Sequence, residues 1–123
     1  KEEFRTKYQR VMDHFFPGYL VVPFNDGTSL EKRLAGNLDD VALIVTDNQM
    51  PGKAGFDIIK DYAREERLRR VPIILLYNGE PIIGKVAVEN GAFSYVSKMS
   101  DQQDLVAEMR RALDFSASTS SSQ

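Results

Sequence analysis

The chain contains no cysteine and no tryptophan, a single histidine, and no apolar run long enough to cross a bilayer. The lack of cysteine excludes disulfides, thiolate metal sites and thiol nucleophiles. His14 alone cannot make a histidine metal cluster, and its position off the apolar stripe of its helix reads as a solvated side chain. The apolar stretches fall short of the roughly 18 residues that a membrane span needs. Segment 1–10 is strongly charged and lacks the apolar centre of a signal peptide, so a cytoplasmic location without a membrane partner is expected. Charge is nearly balanced, with 16 Lys+Arg against 18 Asp+Glu and a net −2. That balance offers no field to draw this domain to nucleic acid. Phosphate-cradling glycine loops, dinucleotide fingerprints and nucleophile elbows are also missing, so an enzyme in its own right is not expected. What is present is an ordinary globular balance of 42% hydrophobic and 28% charged residues in 123. That is enough for one domain with one sizeable core.

The most informative stretch is Val41-Ala42-Leu43-Ile44-Val45-Thr46-Asp47, followed by Asn48-Gln49-Met50-Pro51-Gly52. An apolar, largely β-branched run of this length fits a strand buried on both faces, as in a parallel sheet. Pro51-Gly52 forces a turn. Asp47 therefore falls at the carboxyl end of a buried strand, where open α/β sheets place their ligand sites. An aspartate there can also simply open a loop or cap a helix.

The remaining elements follow from periodicity and breakers. Glu2–Phe16 has Phe4, Tyr8, Val11, Met12, Phe15 and Phe16 at helical spacing, and Pro17-Gly18 ends it. Tyr19–Phe24 reads as a short strand, and Thr28 or Ser29 can cap a short helix closed by Gly36. Helix is expected over Gly55–Arg67, strand over Val71–Tyr77, helix over Ile82–Glu89, strand over Ser94–Ser97 and helix from Asp101 to Leu113. The Ser-rich end has no apolar periodicity, so the division is one domain over residues 1–114 and a flexible tail over 115–123. Helices alternating with strands imply a parallel sheet covered on both faces.

Val-Thr-Asp-x-x-Met-Pro-Gly around Asp47 and Gly91-Ala-x-x-Tyr95-x-x-Lys98 together resemble the receiver domains of two-component response regulators, over about Lys1 to Leu113. The resemblance implies a three-layer α/β/α flavodoxin-like fold. It also implies signalling in which Asp47 accepts a phosphoryl group from a histidine kinase or a histidine phosphotransfer protein. In the family a lysine at the place of Lys98 pairs with the phosphoacceptor. Tyr95 falls at the place of an aromatic that turns inward on activation. Mg²⁺ is held by the phosphoacceptor, by a backbone carbonyl at the place of Gln49, and by an acidic pair whose place maps near Glu2 and Glu3. Glu2 and Glu3 read more readily as acidic residues complementing a helix dipole.

Three departures from the family pattern stand out. Tyr77 occupies the place of a Ser or Thr whose small hydroxyl reports the phosphoryl group, Asn78 follows where the family has a very small residue, and Met99 replaces a proline. In addition, only four strands are visible where the family has five, and the missing one is the first. It would lie upstream in a longer parent, come from a partner chain, as in a homodimer or strand-exchanged dimer, or be replaced by rearrangement. In the last case Tyr19–Phe24 takes the central place and Asp26 stands near Asp47 as a metal ligand, against which Pro23 argues. The expected function is a phosphorelay receiver with atypical phosphorylation. The alternative is a phosphorylation-independent pseudo-receiver that binds a protein partner or dimerises.

Overall fold

The structure, a computed structural model, describes residues 2–19, 22, 24 and 26–121, with the side chains of residues 2–8 and 119–121 outside the description. The described elements are α1 (Glu2–Phe15), α2 (Gly27–Leu34), β1 (Ile44–Asp47), α3 (Gly55–Tyr62), a 3-10 turn at Glu66–Leu68, β2 (Ile73–Tyr77), α4 (Ile82–Glu89), β3 (Ser94–Ser97) and α5 (Gln102–Ser121). The three strands form a parallel sheet in the order β1-β2-β3. Ile44 pairs with Ile73, Asp47 with Leu76, Leu75 with Tyr95 and Tyr77 with Ser97.

All five residues of β2 are buried, which explains their unbroken apolar run: both faces of the strand are covered. Strand alternation divides its side chains between two cores. Ile73 and Leu75 pack with Leu30 and Leu34 of α2, Ile58 and Ile59 of α3 and Ala87 of α4. Ile74 and Leu76 pack with Val11 and Met12 of α1 and with Leu105, Val106 and Met109 of α5. The layers are therefore α/β/α, the flavodoxin-like arrangement. Each fully buried aliphatic side chain contributes roughly 1.5–3 kcal/mol.

Several expected boundaries move, each for an identifiable reason. α2 starts at Gly27 and its cap is Asp26, not Thr28 or Ser29; the Asp26 carboxylate accepts from the Ser29 N–H at 2.7 Å. Its closing residue is Ala35, one before the expected Gly36. α3 stops at Tyr62, well short of Arg67. The chain bends there into the 3-10 turn, and Arg67 Nη1 reaches back to the Leu34 and Gly36 carbonyls at 2.7 and 3.2 Å, covering the exposed end of α2. α5 runs on to Ser121, through the stretch read as a Ser-rich tail; Phe115 packs on the Phe93 ring at 5.6 Å and Ser116 is buried. Tertiary contact here overrides the weak helix propensity of serine. The expected strand Tyr19–Phe24 lies largely outside the described residues. Of its members that are described, Tyr19 and Val22 are exposed and Phe24 packs against the core on the α2–α4 side. Among the described residues no strand pairs with the outer edge of β1.

Candidate functional site

Asp47 is the last residue of β1, and the ladder continues past it: the Asn48 N–H donates to the Leu76 carbonyl at 2.8 Å, and the Lys98 N–H donates to the Tyr77 carbonyl at 2.9 Å. Both bonds hold the strand ends rigidly side by side at the carboxyl edge of the sheet. Lys98 Nζ pairs there with Asp47 Oδ2. The two side chains are 24% and 21% exposed, so the pair is half-sheltered yet open to an incoming group. The other oxygen, Oδ1, accepts a long bond from the Gln49 N–H, 3.3 Å away. A carboxylate oriented by a cation on one oxygen can act as a nucleophile toward phosphorus through the other and have the resulting charge offset by the ammonium.

The structure brings Asp47, Lys98 and the Gln49 backbone together. It brings the other expected pair together separately: Tyr77 and Tyr95 lie with ring centroids 5.8 Å apart. The register places these two on the face that carries Leu75, toward α4. Tyr77 makes no hydrogen bond to Asp47 among the described residues; its ring is instead committed to Tyr95 and its side chain is buried. Asp26, the metal ligand of the rearranged reading, has its Oδ1 engaged elsewhere. It caps α2, and the Ser29 backbone N–H holds its carboxyl below the usual range.

The segment after Asp47 is closed by residues that the sequence alone did not mark. Asn48 accepts twice, through its carbonyl from the Gly55 N–H and through Oδ1 from the Phe56 N–H, both at 3.0 Å, which ties the start of α3 to the end of β1. Asparagine's capping preference was the available signal. The tip of the segment docks on α2: the Gly27 N–H donates to the Pro51 carbonyl at 2.9 Å. A side chain at Gly27 would place its Cβ 1.8 Å from the Lys53 carbonyl oxygen, and Gly52 turns the loop at φ +84°. Lys53 then reaches Glu31 of α2 at 2.7 Å and Asp61 of α3 at 2.5 Å, and the Tyr62 hydroxyl donates to the same Glu31 oxygen at 2.6 Å. The Lys53 hydrogen bonds hold the Glu31 and Asp61 carboxyls below their usual range, with Tyr62 adding to the effect at Glu31. Asp61 and Glu31 in turn push Lys53 up, and the bond to Glu31 raises Tyr62.

This parallel α/β sheet, with an aspartate and a lysine paired at its carboxyl edge, defines the phosphoacceptor class of signalling domains. The comparisons carry the assignment further. The response regulator receiver domain family matches residues 2–110, so the chain belongs to that family and is a receiver domain of two-component signalling. Two-component response regulator ARR6 of Arabidopsis thaliana is 29% identical over 96 residues, covering 73% of this chain and 51% of that protein. Hybrid signal transduction histidine kinase D of Dictyostelium discoideum is 32% identical over 93 residues, covering 74% of this chain and 6% of that protein. The chain spans about a third to a half of the first curated relatives it matches (32%, 51% and 31%). The fold is shared with the response regulator receiver domain protein from Clostridium thermocellum, with a TM-score of 0.79 at 20% identity over 93% of this chain and 88% of that one.

Receiver domains as a class bind Mg²⁺ at the phosphorylation site and work with histidine kinases or phosphotransfer proteins. Among the described residues no group of three His, Cys, Asp or Glu side chains could hold a metal ion. Glu2 and Glu3 lie in the first turn of α1, but their side chains are outside the description. Among the described residues the site offers one carboxylate, already paired with Lys98, which alone does not make the oxygen-rich shell that a hard divalent cation takes. No helix among the described residues is long and apolar enough to cross a membrane.

Proposed function

We propose that the chain acts as a phosphoryl acceptor in a phosphorelay, not as an enzyme, with Asp47 as the acceptor and an atypical readout. The observation that carries this reading is the Asp47–Lys98 pair, part-sheltered at the carboxyl edge and fixed by ladder bonds on both sides. Asp47 Oδ1 attacks phosphorus of a phosphohistidine on a kinase or phosphotransfer partner. The P–N bond breaks as the P–O bond forms, and the departing imidazole takes up a proton. Lys98 offsets the charge of the acyl phosphate. Tyr77, packed against Tyr95, takes no part in holding the phosphoryl oxygens, so the state of Asp47 reaches the rest of the molecule through Lys98 and the loop after Asp47.

Incubation with phosphoramidate and Mg²⁺ is expected to add one phosphoryl mass to the wild-type chain and none to Asp47→Asn. Omission of Mg²⁺ from the same assay tests whether the family's cofactor operates here. A folded wild-type sample that gains no mass would overturn the reading. That result would favour a second one, a pseudo-receiver docking or dimerising without phosphate, which the tyrosine at position 77, its ring packed against Tyr95, supports.

A further inference from the structure

Lys53 stands six residues beyond Asp47 in a loop that runs along the rim of the site. Its ammonium is the meeting point of three elements: it binds Glu31 of α2 and Asp61 of α3, and it lies 5.4 Å from the centroid of the Tyr62 ring, whose hydroxyl closes onto Glu31. The backbone beneath it is equally constrained. The Pro51 carbonyl accepts from both Gly27 and Lys53, and a Cβ at Gly52 would come 2.6 Å from Thr28 Oγ1. The loop root is held by Asn48. Gln49, whose N–H is the partner of Asp47 Oδ1, lies between root and tip and has no tie of its own to a helix among the described residues. Its position is therefore set by the two ends.

We infer that Lys53 is a positioning residue for Asp47: by drawing Glu31 and Asp61 onto one ammonium it clamps the 48–54 loop between α2 and α3, and so fixes the Gln49 amide beside the acceptor oxygen. This rests on the reading of Asp47 as the phosphoacceptor. The ties are half-exposed ion pairs, each a small contribution to global stability. Their effect is on geometry, where a displacement of an ångström at a reacting centre is costly. Without the lysine, Glu31 and Asp61 would face each other with like charge and push α2 from α3.

The test compares phosphoramidate reactivity of the wild-type chain, Lys53→Met and Lys53→Arg. Lys53→Met is expected to lower the maximal phosphorylation rate about ten-fold, with the half-saturating donor concentration unchanged and the urea midpoint little moved. Lys53→Arg, whose fork reaches both carboxylates, is expected to restore most of the rate. Added salt should slow the wild type and leave Lys53→Met unaffected. A folded Lys53→Met that reacts at the wild-type rate would overturn the inference. If the wild type itself does not react, the phosphoacceptor reading fails. The clamp is then judged by amide NMR: Lys53→Met should shift the Gln49 and Gly55 amides and speed their exchange, with recovery in Lys53→Arg, and unmoved amides would overturn it too.

Discussion

Gly84 is the residue whose lack of a side chain matters most to the sheet face opposite Asp47. A Cβ there would lie 2.2–2.8 Å from Cδ2, Cγ and Cβ of Tyr95. These are atoms near the root of the side chain, which cannot swing clear without leaving the rotamer. Tyr95 is thus held between the backbone of α4 and the ring of Tyr77. Gly84→Ala is expected to displace either Tyr95 or α4, destabilising the fold by about 1–3 kcal/mol. Its near-UV circular dichroism should lose tyrosine intensity, and a variant with unaltered intensity and urea midpoint would show that α4 has slack that the contact distances deny. The same packing explains why a tyrosine is tolerated at position 77. Its ring lies along the face shared with Tyr95.

At the scale of elements, the ion cluster joining α2, the loop and α3 gives stability a defined pH dependence. Glu31 and Asp61, with ordinary values of 4.5 and 3.8, are lowered by Lys53, so their contribution is present above those values and is lost as the pH falls through the folded ones. Lys53 and Tyr62, ordinarily 10.5 and 10.0, are raised, so theirs is present below those values and is lost as the pH rises through the folded ones. The clamp is therefore intact between, and weakens in acid first. The urea midpoint of the wild type should fall between about pH 5 and about pH 3 more steeply than that of the Glu31→Gln/Asp61→Asn double variant; parallel slopes would show that the cluster adds nothing to folding. None of this cluster was legible in the sequence. Lys53 and Glu31 are 22 positions apart, and nothing local to either marks the other. Asp47 and its strand were legible, because a buried parallel strand writes an unbroken apolar run and a chain-breaking turn into the residues themselves; Lys98, at the end of the mixed strand Ser94–Ser97, was marked only by the family resemblance. The true extent of α5 was not, since Phe115 on Phe93 outweighs the poor propensity of the serines that follow, and that contact is a fact of packing. The cap of α2 was missed by a few positions because Asp26, Thr28 and Ser29 are all competent caps.

The whole molecule depends on β2, among the described residues the one strand paired on both sides and shared by both cores. Leu75 faces one core and Ile74 the other, and neither is exposed to solvent at all. Leu75→Ala and Ile74→Ala are each expected to cost about 2–5 kcal/mol. Each should lower the whole transition together, with far-ultraviolet and tyrosine signals coincident; separated transitions would mean that the two layers fold independently. The same dependence reaches the proposed acceptor. Asp47 and Lys98 are 51 positions apart and meet only because β1 and β3 both align on β2. During synthesis Asp47 leaves the ribosome well before its lysine does. A nascent or truncated chain thus carries the aspartate without the pocket, and only a finished polypeptide can present both to a partner.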